Sequence, residues 1–279
     1  MDANPFQVEV DGGVLHGHTG GKGAPALLLH GGPGLPDYLE GCADDLGRLF
    51  TTIRYTQRGV APTTVGGPYS VETHMADALA VLDAFELEKA WAVGHSWGGH
   101  LALHLAVAHP ERLHGIVCIG TLGVSGEVLP DFAAALKRDL GEEQLARLAE
   151  IDEHEEDGTV TEDELLEQLA IVWPNYFANP ANAPPCPFKA LGVECHVETF
   201  TSIREHFEQK TLRRGLRKVQ LPVLFVHGIL DPLPLRGAVN TAKLIPRARV
   251  ARVARCGHLP WIEQPGFIDR AIRGLLMQL

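Results

Sequence analysis

The pentapeptide Gly-His-Ser-Trp-Gly at residues 94–98 contains a serine, Ser96, with a glycine two residues away on either side. It directly follows a short apolar run, residues 90–93, and it begins a stretch, residues 97–108, whose apolar residues recur at helical spacing. Glycines around such a serine permit a sharp turn from strand to helix, which projects the hydroxyl above the edge of a sheet. We therefore predict that Ser96 is a catalytic nucleophile. The alternative is a serine that only caps the helix.

A serine hydroxyl is a weak nucleophile at neutral pH, so it requires a base within hydrogen-bonding reach and a carboxylate that orients this base. The chain offers both downstream: Asp231 follows a predicted strand at 223–227, and His258 follows a predicted strand at 249–253. Loops that leave the carboxyl ends of parallel strands meet at one edge of a sheet. The order Ser96, Asp231, His258 therefore predicts a catalytic triad. Taken alone, Asp231 also suits a turn and His258 a surface position.

A glycine-rich sequence, His-Gly-Gly-Pro-Gly at residues 30–34, follows the apolar run 26–29. Glycine allows backbone amides to approach a ligand closely. Acyl transfer develops negative charge on the carbonyl oxygen of the substrate, and fixed N–H donors stabilise that charge. We predict an oxyanion hole formed by the backbone amides of Gly32 and Trp97. A tight turn without a ligand is the alternative.

The elements that must position these residues are short strands that alternate with helices. Apolar, β-branched runs predict a hairpin at residues 8–10 and 14–18 and buried strands at 26–30, 52–55, 90–94 and 115–119. Strand-like sequence returns at residues 223–227 and 249–253. Helical spacing of apolar residues predicts helices at 71–85, 97–108 and 267–276. This alternation is typical of crossover units around a mostly parallel sheet. The predicted fold class is therefore α/β, with a mostly parallel central sheet flanked by helices.

One long stretch, residues 127–215, is mainly helical in pattern and rich in acids, although strands precede and follow it. An insertion between two strands of one sheet has its ends close together and covers the carboxyl edge of that sheet. We therefore predict a first core part at 1–122, a helical lid at 123–215 and a second core part at 216–279.

Composition and charge argue against several classes of protein. The net charge of -11 disfavours nucleic-acid binding, because phosphate contacts need clustered Lys and Arg. The sequence has no apolar run typical of a secretory signal or a membrane span, so we expect a cytoplasmic protein that does not associate with membranes.

Five scattered cysteines without a C-x-x-C pair indicate neither a disulfide framework nor a zinc site. His100 and His104 have a metal-ligand spacing but no evident third ligand, so we expect no metal and no cofactor.

Two features of the predicted lid bear on the substrate. Residues 142–164 carry eleven Asp and Glu against a single Arg147. These acids either attract a cationic group, such as a free peptide N-terminus, or form a solvated helix surface. Trp173, Tyr176 and Phe177 either line an apolar pocket above the nucleophile or pack the lid onto the core.

With these residues in place, the chain resembles the α/β-hydrolase superfamily and, within it, the proline iminopeptidase-like branch. The resemblance rests on five motifs: residues 30–34, Gln57-Arg58-Gly59, Ser96-Trp97-Gly98-Gly99, His109-Pro110-Glu111-Arg112 and Gly257-His258. It implies an α/β-hydrolase fold and a Ser-His-Asp hydrolase. In iminopeptidases it further implies lid carboxylates that hold the substrate amine.

One motif departs from that branch, which typically has Asp-Gln-Arg-Gly followed by serine, whereas this chain has Thr56-Gln57-Arg58-Gly59 followed by Val60. Relatives with the same elbow include esterases, lactonases, carbon–carbon bond hydrolases and non-hydrolytic lyases. We therefore predict a serine hydrolase that forms an acyl-enzyme with an ester or amide of a small molecule or short peptide. A lyase that uses the triad for proton transfer and a ligand-binding protein of the same fold are the alternatives. No oligomeric state follows from these patterns.

Overall fold

A computed structural model describes residues 3–278, which form one eight-stranded sheet with helices on both faces. The strands are β1 (Asn4–Val10), β2 (Gly13–Gly21), β3 (Ala24–Leu29), β4 (Phe50–Tyr55), β5 (Ala90–His95), β6 (Leu113–Ile119), β7 (Val223–Gly228) and β8 (Ala248–Val253). The α-helices are α1 (Glu40–Leu46), α2 (Val71–Ala84), α3 (Trp97–Ala108), α4 (Leu129–Lys137), α5 (Glu142–Glu156), α6 (Glu162–Val172), α7 (Val193–Glu208), α8 (Thr211–Gly215), α9 (Leu235–Ala242), α10 (Pro260–Glu263) and α11 (Phe267–Leu276).

The strands follow the order β1-β2-β4-β3-β5-β6-β7-β8 across the sheet. β2 is antiparallel to both β1 and β4, and every later neighbouring pair is parallel. All residues of β5 and β7 are buried. Strands covered on both faces have near-continuous apolar sequences, which is why these two were evident as short apolar runs. The predicted α/β class with a mostly parallel sheet is confirmed.

Apolar layers on the two faces of the sheet form the core. On one face, buried residues of α2, α3 and α9 pack against the strands; on the other, those of α1, α10 and α11 do so. The helix α11 illustrates the cause, because its buried residues Ile268, Ile272 and Leu275 recur at the spacing that places them on one helix face. Within residues 3–278, no helix has the length and apolar character that a membrane crossing requires.

The stretch between β6 and β7 contains the helices α4 to α8 and, in residues 120–222, no strand. Its helical character agrees with its sequence pattern, and it contributes the side of a cavity that faces the carboxyl edge of the sheet. The boundaries after residues 122 and 215, and the function of the stretch as a lid, stay predictions.

The structure differs from the sequence-based assignment at short elements. The helices α1 and α9 were not predicted, because helices of seven and eight residues span about two turns and show little periodicity. The strand β3 ends at Leu29, so His30 belongs to the following loop rather than to the strand. The strands β1 and β2 are longer than predicted, because glycines in β2 obscure the alternation of apolar and polar residues.

Candidate active site

Ser96 lies at the turn between β5 and α3, with a φ of 54° and a ψ of -117° that L residues rarely adopt. The turn packs tightly against β3: a Cβ on Gly98 would lie 1.9 Å from the Leu29 carbonyl oxygen, so only glycine fits. Ser96 occupies the N-cap position of α3, yet within the described residues its side chain makes no capping hydrogen bond. By contrast, the Ser70 hydroxyl caps α2 by accepting from the Thr73 amide. The Ser96 hydroxyl is therefore not used to cap its helix.

Asp231 and His258 face each other from the loops that follow β7 and β8. The two Asp231 carboxylate oxygens lie 3.0 and 2.9 Å from His258 Nδ1, and both residues are buried. The Leu233 amide also donates to Asp231 Oδ1 at 2.8 Å, and His227 Nε2 donates to the Leu233 carbonyl at 2.7 Å. A carboxylate at Nδ1 favours the imidazole tautomer that is protonated there, which leaves Nε2 able to accept a proton.

Ser96 and His258 line the same cavity, and the end of β6 joins their loops. The Ser96 amide donates to the Ile119 carbonyl at 2.8 Å. The next residue, Gly120, is so close to the histidine that a Cβ there would lie 2.9 Å from the His258 ring and 3.1 Å from Asp231 Oδ2. The carboxyl ends of β5, β6, β7 and β8 thus bring the three residues of the predicted triad to one region.

Gly32 and Trp97, the residues of the predicted oxyanion hole, flank the serine. Gly32 lines the cavity together with Ser96. Trp97 is the first residue of α3, and amides in the first turn of a helix have no acceptor within that helix. A Cβ on Gly31 would lie 3.0 Å from Ser96 Cβ, which shows how closely the glycine loop approaches the serine. The loop and the start of α3 therefore border the position of the Ser96 hydroxyl.

Gln57, from the Gln-Arg-Gly motif, fixes the glycine loop against α3. Its side-chain amide donates to the His30 carbonyl at 2.8 Å, and its backbone amide donates to His30 Nε2 at 2.9 Å. Its side-chain oxygen accepts from the Trp97 indole at 2.8 Å. Burial lowers the pKa of His30, so the ring stays neutral. Gln57 and His30 therefore support the loop from behind.

The half-buried Tyr38 and the buried His95 form a second link, which sequence reasoning missed. The Tyr38 hydroxyl accepts from the Gly31 amide at 2.9 Å and donates to His95 Nδ1 at 2.6 Å, while His95 Nε2 donates to the His258 carbonyl at 2.9 Å. Burial lowers the pKa of His95 and raises the pKa of Tyr38, so both side chains are neutral. Tyr38 lies in the loop between β3 and α1, where no periodic pattern indicates a contact with His95.

A cavity of about 410 Å³ lies between the sheet edge and the insertion, within the usual size range of small-molecule sites. Ser96, Gly32 and His258 line its sheet side. Apolar side chains of the insertion dominate the rest of its wall, among them Leu129, Phe132, Leu136, Leu148, Leu165 and Leu169. The cavity therefore suits a small molecule with an apolar portion.

Two of the three lid aromatics border this cavity. Trp173 and Tyr176 line it, whereas Phe177 is buried against Trp173 at a ring-centroid distance of 5.2 Å. The Tyr176 carbonyl accepts from the His258 amide at 2.7 Å, and the two rings lie 5.2 Å apart. Both expectations for this group, pocket lining and packing, thus apply to different members.

The acids of the insertion form mainly surface contacts. Glu164 accepts from Arg147 and from His154 at the surface. Among the described cavity-lining residues, Asp152 is the one carboxylate, and Lys137 donates to it at 2.7 Å. The acid-rich segment therefore places one paired carboxylate, and no unpaired one, in the cavity wall.

His100 and His104 are buried in α3 and contact each other, with Nε2 atoms 3.3 Å apart. His100 Nδ1 donates to the Gly123 carbonyl at 3.0 Å. Burial lowers the pKa of both rings, for His100 to about 3. Within residues 3–278, no group of three or more His, Cys, Asp or Glu side chains is arranged to hold a metal ion. The observed contacts of the pair are thus internal packing and hydrogen bonds.

Comparison with known proteins defines the class of this chain. The family model described as alpha/beta hydrolase fold matches residues 25–265, so the chain belongs to the α/β-hydrolase family. Among solved structures, an alpha/beta fold family hydrolase from Bacillus anthracis is similar with a TM-score of 0.72, covering 99% of this chain and 99% of that one at 21% identity.

Curated relatives agree on hydrolysis but differ in substrate. A 2-hydroxymuconate semialdehyde hydrolase from Pseudomonas putida is 31% identical over 276 residues, covering 94% of this chain and 90% of that protein. A proline iminopeptidase from Xylella fastidiosa is 27% identical over 287 residues, covering 90% of this chain and 87% of that protein. The chain is therefore a hydrolase of the α/β fold, and the relatives leave its substrate open.

Proposed function

We propose that the chain is a serine hydrolase that cleaves esters of small, partly apolar molecules through an acyl-enzyme on Ser96. One observation carries this proposal: the Asp231 carboxylate contacts His258 Nδ1 at 2.9 and 3.0 Å, beside the apolar cavity that Ser96 also lines. In the proposed mechanism His258 is the general base, and Asp231 orients the imidazole and stabilises its charged form.

The reaction proceeds in two stages. Ser96 Oγ bonds to the carbonyl carbon of the substrate while its proton passes to His258 Nε2. The amides of Gly32 and Trp97 donate to the resulting oxyanion, and each such donor contributes about 3 kcal/mol. The bond to the leaving group then breaks, and the leaving group takes the proton from His258. Water attacks the acyl-enzyme, and His258 transfers the proton of the water to Ser96 as the acid is released.

The cavity wall favours a small ester over a peptide N-terminus. An ammonium group needs a carboxylate that is not already neutralised, because an unpaired buried charge is strongly unfavourable. Among the described residues of the wall, Asp152 is the single carboxylate, and Lys137 already occupies it at 2.7 Å. We therefore place an ester of a small molecule ahead of the iminopeptidase-like activity that the sequence resemblance implied.

We further propose that residues 123–215 act as the lid of this site. The helices of this segment supply most of the apolar cavity wall, and the Tyr176 carbonyl accepts from the His258 amide. A lid that contacts the base loop directly excludes water from the acyl-enzyme except where the cavity opens.

The five cysteines are unpaired, which supports the predicted cytoplasmic location, because free thiols persist in a reducing compartment.

Hydrolysis of a carbon–carbon bond next to a carbonyl is the second candidate. The 2-hydroxymuconate semialdehyde hydrolase from Pseudomonas putida favours this candidate, because it is 31% identical to the chain over 94% of the chain's length. Here the same acyl-enzyme forms on Ser96, but the leaving atom is a carbon that takes the proton from His258. A lyase of this fold would complete its reaction without an acyl-enzyme, and a ligand-binding protein would turn over none of these substrates.

The test compares three substrates: p-nitrophenyl butyrate, 2-hydroxymuconate semialdehyde and an L-prolyl arylamide. We expect the ester to be hydrolysed with the highest kcat/KM and Ser96→Ala to lower kcat by about 1,000-fold or more. Ser125→Ala, a serine outside the cavity, is the matched control and retains activity. Faster cleavage of the semialdehyde than of the ester identifies the second candidate. Full activity in Ser96→Ala contradicts both candidate functions.

A further inference from the structure

Three polar side chains of the insertion meet in the wall of the mostly apolar cavity. Lys137 is at the end of α4, Asp152 is in α5 and Gln168 is in α6. Lys137 Nζ donates to Asp152 Oδ2 at 2.7 Å, and Gln168 Nε2 donates to Asp152 Oδ1 at 3.0 Å. All three line the cavity that Ser96 lines from the sheet edge. We call these three residues the lid cluster.

The lid cluster differs from most of the cavity wall in its charge and polarity. Among the described residues that line the cavity, Lys137 is the one Lys or Arg and Asp152 the one Asp or Glu. Their neighbours in the wall are apolar, including Leu136 and Leu169, which adjoin cluster members in the sequence. In a mostly apolar pocket, a small number of polar groups fixes the orientation of a ligand.

The cluster, whose Lys137 and Asp152 side chains are partly exposed, also retains hydrogen-bonding capacity. A lysine ammonium has three N–H donors, and the hydrogen bond to Asp152 uses one of those of Lys137. A glutamine side chain offers an acceptor oxygen besides its amide group, and the hydrogen bond of Gln168 to Asp152 uses only the latter. A ligand can therefore both accept from the ammonium and donate to the amide oxygen.

We propose that Lys137, Asp152 and Gln168 form a binding subsite for an uncharged hydrogen-bonding group, such as a hydroxyl or carbonyl, on the part of the substrate that faces the lid. This inference rests on the proposed function, since it assumes that the scissile ester lies at Ser96. It defines the substrate class as an ester whose lid-facing part is apolar and carries a neutral polar group.

Charge balance is the reason for an uncharged group. Asp152 neutralises Lys137, so the cluster as a whole attracts neither sign of charge strongly. A carboxylate placed on the ammonium would also lie near the Asp152 carboxylate, and an ammonium placed on Asp152 would lie near Lys137. Repulsion of this kind selects against a wrong ligand as effectively as attraction selects for the right one.

The same contacts would also serve a purely structural purpose, namely to join α4, α5 and α6. The insertion offers a matched control for that possibility. Arg147 Nη2 contacts Glu167 Oε2 at 2.9 Å, which joins α5 to α6 by another ion pair, and neither residue lines the cavity. Removal of the cation from either ion pair perturbs the lid, but only Lys137→Met alters the proposed subsite.

The experiment measures binding of phenyl alkyl ketones by isothermal titration calorimetry to full-length Ser96→Ala protein, in which no covalent adduct forms at Ser96. The ketones have butyl, hexyl or octyl chains that end in a methyl, a hydroxyl or a carboxylate. At the best-fitting length we expect the hydroxyl probe to bind about tenfold more tightly than the methyl probe. The carboxylate probe binds no more tightly than the methyl probe.

Variants in the same background then assign the effect. Lys137→Met abolishes the preference for the hydroxyl probe, and Arg147→Met leaves it unchanged. Asp152→Asn leaves the Lys137 ammonium without its counter-ion, so the carboxylate probe gains affinity by about tenfold.

Several results would overturn the subsite: no preference for the hydroxyl at any chain length, no binding of any ketone, or a preference that survives in Lys137→Met. The proposed function is tested separately, by turnover of p-nitrophenyl hexanoate with Ser96 present. A hydroxyl preference without ester turnover retains the subsite and rejects the proposed function, and ester turnover without a hydroxyl preference does the reverse.

Discussion

The Tyr38 hydroxyl lies 2.6 Å from His95 Nδ1 and connects two loops whose relative position the proposed mechanism requires to be fixed. On one side, it accepts from the Gly31 amide of the glycine loop at 2.9 Å. On the other side, His95 Nε2 donates to the backbone carbonyl of His258 at 2.9 Å. A movement of either loop therefore disturbs the other through the side chains of Tyr38 and His95.

Tyr38→Phe should weaken catalysis without removing any group that performs chemistry. The change leaves the Gly31 amide without its acceptor and His95 Nδ1 without its donor, so the glycine loop loses its fixed position. We expect kcat to fall about tenfold with little change in KM, because misplaced oxyanion donors affect mainly the transition state. Unfolding in urea should show a loss of about 1 to 3 kcal/mol for the unsatisfied buried groups.

Tyr55→Phe is the control for that variant. Among the described residues, the buried Tyr55 hydroxyl has no hydrogen-bond partner, so its removal should leave both kcat and the free energy of unfolding unchanged or slightly improved. Equal losses of kcat in the two variants would contradict a positioning function for Tyr38.

Gly120→Ala should separate the proposed base from its carboxylate. Gly120 has a φ of 51°, and a Cβ there would lie 2.9 Å from the His258 ring and 3.1 Å from Asp231 Oδ2. We expect kcat/KM for an ester to fall about 100-fold, because the imidazole must move. Gly158→Ala is the control, since Gly158 has a φ of 70° and nothing within 4 Å of its added Cβ. Both variants should lose about 1 to 2 kcal/mol of stability from backbone strain, and only Gly120→Ala should lose activity.

The buried ion pair between Arg58 and Asp77 should be important for stability. Arg58 Nε and Nη2 each donate to one Asp77 carboxylate oxygen at 2.7 Å. Asp77→Asn leaves a buried guanidinium without its counter-ion, so urea unfolding should show a loss of about 3 to 5 kcal/mol. The pair between Arg273 and Asp269 on the exposed side of α11 is the comparison, and Asp269→Asn should cost less than about 1 kcal/mol. Similar losses in the two variants would contradict this assignment.

Acid should destabilise the fold through its buried histidines. Burial lowers the pKa of His74 and of His100 from 6.5 to about 3. Below pH 6.5 the unfolded chain therefore binds protons that the folded chain excludes. The free energy of unfolding must then fall as the pH drops from 6.5 toward 3, by up to about 1.4 kcal/mol per pH unit for each ring.

His74→Leu tests this pH dependence, which urea unfolding measures above and below pH 6.5. The variant should show a smaller slope of the free energy of unfolding against pH, because one of the contributing rings is gone. His114→Leu, which replaces an exposed histidine of β6, is the control and should keep the slope of the original protein. An unchanged slope in His74→Leu would show that other groups cause the acid sensitivity.

Local sequence patterns predicted the elements that hold the candidate site. The apolar runs of β5 and β7 mark buried strands, whereas β8 is a partly exposed edge strand; Ser96, Asp231 and His258 follow these three strands closely in the sequence. Because parallel strands end at a common edge, their order along the chain sufficed to bring the three residues to one region. The predicted Gly32 and Trp97 likewise follow β3 and β5, which are neighbours in the sheet.

Contacts that depend on loop and lid conformation could not be predicted in this way. Tyr38 reaches His95 because the loop before α1 folds back over the end of β5, and no periodicity encodes that path. Lys137 and Asp152 meet because the folded insertion brings α4 and α5 together at this point, which no sequence pattern shows. The acid-rich composition of the insertion therefore left open whether its acids serve binding or form a surface, and it did not show which of them lines the cavity.

Trapping the covalent intermediate tests the proposed mechanism most directly. Intact-mass and peptide mass spectrometry, after brief acid quenching of the protein with p-nitrophenyl butyrate, should reveal a butyryl group on the peptide that contains Ser96. The adduct should be absent from Ser96→Ala and should form more slowly in His258→Ala, which lacks the base that removes the Ser96 proton. Ester turnover with no butyryl group on Ser96 under any quench time, or full turnover by Ser96→Ala, would contradict the proposed mechanism.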